Sequence, residues 1–189
     1  MKKRKKIIVS IVGLPGAGKT TTAEHFARRL KVPVIIFGDV VNKYIDSHNL
    51  LHTKDVHVRT WKELRKKYSM GAFAILNEKN IRESLNKSRL VVIDGMRSWE
   101  EYVYLKKQFL DVDFCIVAIF TDKIKRYKRS AKRTYRAKLY GQERDLDELF
   151  GTNMGPTIAL ADYIIENNSS KEEFLKKIDK VFNKINIDQ

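Results

Sequence analysis

Negative charge is scarce in this chain: 23 Asp and Glu stand against 38 Lys and Arg over 189 residues, a formal net charge of +15 at pH 7. An imbalance of that sign points to anionic partners. Cysteine is nearly absent, and Cys115 has no second thiol to pair with. It lies in the apolar run FCIVAIF and reads as a small core residue, so a disulfide scaffold is excluded. No apolar run approaches the ~20 residues that a membrane-spanning helix requires. Ile7 to Val12 and Phe114 to Phe120 are only strand-length. The basic start MKKRKK imitates the first part of a signal peptide, yet Gly13 and Pro15 soon break the apolar stretch behind it, and no small-residue cleavage site follows. A cytoplasmic protein is therefore expected. His25, His48, His52 and His57 show no metal-ligand grouping, and surface or packing roles are expected for them. Without repeats, low-complexity tracts or an interdomain linker, residues 1–189 read as one domain with a core over about 7–186.

The chain does carry a strong phosphate signature. The run Ile7-Ile8-Val9-Ser10-Ile11-Val12 delivers into GLPGAGKT, residues 13–20, and a helical pattern follows from Thr21 to Leu30. Strand, G-x-x-x-x-G-K-T and helix in that order are the context a phosphate-binding P-loop demands. Gly13, Gly16 and Gly18 let the backbone curl until its N–H groups converge on phosphate oxygens at a helix N-terminus. The segment Gly13, Leu14, Pro15, Gly16, Ala17, Gly18, Lys19, Thr20 and Thr21 is the expected triphosphate cradle. Lys19 is expected to reach the β- and γ-phosphates, and the Thr20 hydroxyl to ligate Mg²⁺. ATP and Mg²⁺ are the expected cofactors.

Apolar strand-like runs alternate with helical patterns, placing strands near 7–12, 33–37, 89–94, 112–120 and 163–166. This alternation predicts an α/β fold with a five-stranded parallel sheet and right-handed crossovers. Residues 39–88 are far more than the dozen or so that one crossover needs. Val58, Trp61, Leu64, Arg65 and Tyr68, then Phe73, Leu76, Ile81 and Leu85, predict several helices there, an inserted layer for a second substrate. A polar, basic, Gly-containing stretch at about 130–147 is expected to form a lid. Phe174, Leu175, Ile178, Phe182 and Ile185 recur at helical spacing and predict a packing helix over 171–185.

Ligands of open α/β sheets bind outside the carboxyl edge, so residues at the strand ends are the candidates. Asp94 ends the third strand in LVVIDGMR, the place of a Walker-B acid that holds the magnesium shell. Asp39 follows the second strand in IIFGDVV, where a base for a hydroxyl acceptor would stand. Gly95 permits a tight turn, and Arg97 is expected to enter the same cleft and grip an acceptor phosphate by a bidentate pair. Beyond the fourth strand come Arg126, Arg129, Arg133, Arg136 and Arg144. Phosphoryl transfer asks for cations over the transferring group, a role assigned to Arg126 and Arg133, while Arg129 and Arg136 are expected to face solvent. The basic density of residues 122–144, opposed by Asp122 and Glu143, suits such a lid or a nucleic-acid partner. No recognisable nucleic-acid motif accompanies it, so the lid is preferred.

With these residues in view, the chain resembles the nucleoside monophosphate kinase group, and more closely an archaeal-type family of P-loop nucleotide kinases related to dephospho-CoA kinase. GLPGAGKTT, GDVV, ELRKKYSMGAFA, VVIDGMRSWEE, ERDLDEL and IALADYIIENNSS carry the resemblance, which covers Ile7 to about Ile178. It implies a three-layer P-loop kinase sandwich and transfer of the γ-phosphate of ATP·Mg to a small nucleotide-like acceptor. It also implies that the loop Asn167-Asn168-Ser169 lies close to the adenine, with Asn167 as a binding residue. Adenylate kinases carry an Arg where this chain has Asn42, beside Lys43, and their D-G-x-P-R is shortened here to Asp94-Gly95-Met96-Arg97. Loss of that Arg with Asp39 retained tilts the expectation toward a hydroxyl acceptor. A kinase of the adenylate or cytidylate type is the alternative, with an RNA- or DNA-acting ATP-dependent protein as the rival from another class.

Overall fold

The computed structural model describes residues 5–132 and 141–185, apart from the side chain of Lys54. Its centre is a parallel sheet in the order β2-β3-β1-β4-β5, formed by β1 (Lys6–Val12), β2 (Val34–Ile36), β3 (Leu90–Asp94), β4 (Val112–Phe120) and β5 (Tyr163–Glu166). The five strands fall where the apolar runs place them. β2 starts one residue late because Pro33 has no N–H to donate, although its carbonyl still accepts from Val92 at 3.1 Å. β1 runs beside β3 from Ile7↔Leu90 to Ile11↔Asp94 and beside β4 from Lys6↔Val112 to Val12↔Ala118.

A parallel strand covered on both faces has no polar side, and β1 obeys this with every residue from Ile7 to Val12 buried. Ile8 and Val12 join a core with Val41 and Ile45 of α2 (Asp39–Ser47), Phe73 and Ile81 of α4 (Ala72–Lys87) and Leu105 of α5 (Trp99–Gln108). Ile7, Val9 and Ile11 face the other way. They meet Phe26 of α1 (Lys19–Leu30) and Phe174, Ile178 and Phe182 of α9 (Lys171–Lys184). Cys115 belongs to this second core, and burial pushes its thiol up to about 12.

The inserted region is a helical layer, as expected, made of α2, α3 (Lys54–Tyr68) and α4 between β2 and β3. Past β4 come α6 (Lys123–Ala131), α7 (Gln142–Leu146), a π-helical turn over Asp147–Gly151 and α8 (Met154–Ala159). The middle of the expected lid, with Arg133 and Arg136, lies outside the described residues.

Gly13 follows β1 with φ +141°, and a Cβ added there would stand 2.5 Å from the Ile119 carbonyl oxygen of β4. That neighbour is backbone in a central strand and cannot turn aside. Gly13→Ala should therefore lower stability by about 1–3 kcal/mol, through steric overlap and an unfavourable φ. The midpoint of urea unfolding, followed by circular dichroism, checks this; an unchanged midpoint would contradict the packing described.

Candidate functional site

The P-loop is held from behind. The Ala17 carbonyl accepts from Asn167 Nδ2 at 2.7 Å and from Thr121 Oγ1 at 2.9 Å, so residues after β4 and β5 both fix it. Gly16 (φ +79°) and Gly18 (φ +113°) leave no room for a Cβ: it would lie 2.8 Å from the Arg126 carbonyl oxygen at one and 2.5 Å from Asn167 Nδ2 at the other. The left-handed backbone at these two positions is thus enforced by packing as well as permitted by glycine. Lys19 opens α1 and donates to the carbonyls of Gly13 at 2.7 Å and Leu14 at 3.3 Å, so its ammonium rests on the loop it serves. Burial lowers its pKa, against the attraction of Glu148 and Asp94.

At the mouth of the loop, the exposed Thr20 donates its hydroxyl to Asp94 Oδ2 at 2.8 Å. The parallel register brings this about, since Asp94 ends β3 opposite Ile11 and both chains leave the sheet at one edge. Burial raises the Asp94 pKa, opposed by the Thr20 hydrogen bond and by Lys19. A hydroxyl beside a carboxylate is an oxygen set that suits a hard divalent cation such as Mg²⁺. The cradle and this pair fit a triphosphate with its metal.

Gly95, at φ +87°, turns the chain, and Glu101 then fixes it. Glu101 Oε2 accepts from the backbone N–H groups of Arg97 at 2.7 Å and Ser98 at 3.2 Å, completing a capping box at the start of α5. The other Glu101 oxygen meets Arg65 Nη2 of α3 at 2.9 Å. So anchored, Arg97 places its Nε 3.0 Å from Glu148 Oε2, with its guanidinium 5.8 Å from the Phe73 ring centroid. Glu148 stands on the π-helical turn and also accepts from Arg144. Burial pushes the Glu148 carboxyl up, but Arg97, Arg144 and Lys19 outweigh that and hold it below its ordinary value.

Arg126 sits beside the P-loop, yet its donors are engaged. They reach Asp145 at 2.9 and 2.6 Å, the Pro15 carbonyl at 3.1 Å and the Thr121 carbonyl at 3.2 Å. The structure makes it a tether between α7 and the P-loop. Arg129, expected to face solvent, is half-buried and donates to the Asn167 carbonyl at 3.1 Å. Asn167 turns its side chain onto Ala17 and is 6% exposed, so what it demonstrably does is brace the loop. Asp39 is the first residue of α2, three positions past the last residue of β2, and is half-buried with Asn42 Nδ2 3.4 Å away.

The residues that pattern reading passed over are acids: Glu101, Asp145 and Glu148. ERDLDEL carries a local signal for two of them, four acidic residues at the end of the basic stretch, and Ser98-x-x-Glu101 has the spacing of a capping box. Asp145→Asn leaves the buried Arg126 charge without its partner and should cost about 3–5 kcal/mol of stability. Chemical denaturation at pH 7 measures it, and a loss near zero would mean that Arg126 is readily re-solvated.

A family model described as an AAA domain matches residues 9–151. A UPF0200 protein of Thermococcus onnurineus is 34% identical over 184 residues, spanning 95% of this chain and 98% of that one. Among solved structures, a shikimate kinase from Bacteroides thetaiotaomicron superposes with a TM-score of 0.60 at 17% identity, over 96% of this chain and 99% of its own. The Mycobacterium tuberculosis APS kinase, in complex with AMPPNP and APS, gives 0.56 at 14% identity, over 97% and 99%. At such identities the structural likeness establishes the fold, that of the P-loop kinases. Matched along nearly its whole length, the chain belongs to the UPF0200 family and carries a P-loop kinase-like AAA domain.

Proposed function

We propose that this chain is a single-domain cytoplasmic kinase that moves the γ-phosphoryl group of ATP, with Mg²⁺, onto a small nucleotide-like acceptor. The observation that carries the reading is the Thr20–Asp94 hydrogen bond at the mouth of a P-loop whose lysine is already in place. Magnesium bound there would neutralise charge on the β- and γ-phosphates. The backbone cradle and Lys19 would hold the triphosphate, and the inserted layer of α2, α3 and α4 would hold the acceptor. Shikimate kinase and APS kinase share this fold and are named for small acceptors, which supports the same class here.

The resemblance to dephospho-CoA kinase makes a hydroxyl acceptor the first to test. The hydroxyl oxygen would bond to the γ-phosphorus, the bond from that phosphorus to the β,γ-bridging oxygen would break, and the hydroxyl proton would pass to Asp39. A nucleic-acid substrate is less well supported. In α6 the basic side chains of Lys123, Lys125, Arg126 and Arg129 all hold partners within the chain. No helix among the described residues is long and apolar enough to cross a membrane.

Radiolabelled ATP offered with nucleoside monophosphates, deoxynucleotides and dephospho-CoA should reveal the acceptor. Lys19→Ala should then cost at least tenfold in turnover, about 1.4 kcal/mol of transition-state stabilisation. A variant as fast as the parent chain would sink the assignment. On a hydroxyl acceptor, Asp39→Asn should lower kcat by about 10²-fold with little change in ATP affinity. If instead only the acceptor KM rises, Asp39 binds and does not act as base.

A further inference from the structure

Glu148 is a carboxylate buried among cations. Its side chain is 4% exposed, with Arg97 3.0 Å from one oxygen and Arg144 donating to the other. Lys19 of the P-loop and Arg65 of α3 add positive charge around it. The acids facing these same cations are Asp94, near Lys19, and Glu101, bound to Arg65. A carboxylate kept ionised by so many cations is a poor proton acceptor, so the base role does not pass to it.

The cluster also has more donors than Glu148 can satisfy. Trp61 Nε1 and Arg65 Nε, both on α3, are buried and have no hydrogen-bond partner among the described residues. The Trp61 ring centroid lies 5.2 Å from the Arg65 guanidinium and 6.0 Å from that of Arg144. A buried donor without an acceptor is destabilising, and two of them beside a pair of arginines point to an anion richer in oxygens than a carboxylate. Phosphate is such an anion, and arginine suits its geometry.

Resting on the kinase reading, we propose that Arg97, Arg144 and the donors of α3 form a subsite for a phosphate group already carried by the acceptor. Glu148 is the internal occupant of that subsite and is exchanged when the acceptor binds. Location favours the acceptor over ATP as the source: Arg97 lies over Phe73 of α4 and Arg144 over Trp61 of α3, both in the inserted layer. The π-helical turn carrying Glu148 supplies the means of exchange, since such turns are uncommon, local and frequent at functional sites. A neutral acceptor leaves Glu148 in place; a phosphorylated one offers a dianion that displaces it. The substrate class that follows is a phosphate-bearing molecule whose reacting hydroxyl lies elsewhere on it.

The test uses inorganic phosphate as the probe, at constant ionic strength, with the P-loop first saturated by AMPPNP·Mg. Glu148→Gln should bind phosphate at least tenfold more tightly than the parent chain, because the internal competitor has lost its charge. Adding Arg97→Ala to that variant should abolish the gain. Equal or weaker binding by Glu148→Gln overturns the exchange. Should that variant not fold, the parent chain still decides: its tryptophan fluorescence should change on phosphate addition through Trp61, and an unchanged signal refutes the subsite. Failure of AMPPNP to bind at all would count against the kinase reading, and is seen before any phosphate is added.

Discussion

With β1 set between β3 and β4, three chain segments leave the sheet at one edge, and the placement of every candidate group depends on this arrangement. Parallel pairing of β1 with β3 sets Asp94 opposite Ile11, two residues before the P-loop begins. Pairing of β1 with β4 brings the Ile119 carbonyl so close to Gly13 that only glycine fits. The strand after α8 then returns to the far side of β4, and its last turn delivers Asn167 behind Ala17. The loop is therefore shaped by its neighbours as much as by its own glycines.

Charge in this region is managed by buried acids. Lys19, Arg65, Arg97, Arg126 and Arg144 converge near the P-loop, and such a concentration of like charge would resist folding without Glu101, Asp145 and Glu148. Each acid also fixes a position. Glu101 ties α3 to the turn after β3, Asp145 ties α7 to α6, and Glu148 ties the π-helical turn to Arg97. The overall excess of +15 therefore misrepresents the site, where buried acids offset much of the positive charge and Arg65 and Arg126 are themselves buried, while much of the surplus sits on exposed helical faces.

The strands and the P-loop were legible in the sequence because their signals are local. A six-residue apolar run before GLPGAGKT needs no knowledge of the rest of the chain, and Asp94 follows from the rule that sites lie at the carboxyl edge. The same holds for the helical spacing over 171–185. The roles of the arginines were not legible. Arg126 bonds across 19 residues to Asp145, Arg97 meets Glu148 51 positions later, and nothing local marks either pair. The family resemblance implies a nucleotide-binding role for Asn167, but the contact its carboxamide makes here, with Ala17 150 residues earlier, has no local signal.

The Arg126–Asp145 pair also closes a loop. Its two ends are pinned, one to the Pro15 carbonyl of the P-loop and the other through Tyr127, whose hydroxyl also donates to Asp145 at 2.9 Å. The entropy of closing a loop grows only with the logarithm of its length, roughly 0.6 kcal/mol for each doubling. On that scale, a change in the number of residues between Arg126 and Asp145 would alter the closure cost by only a fraction of a kcal/mol, while the pair goes on joining α7 to the Pro15 carbonyl of the P-loop.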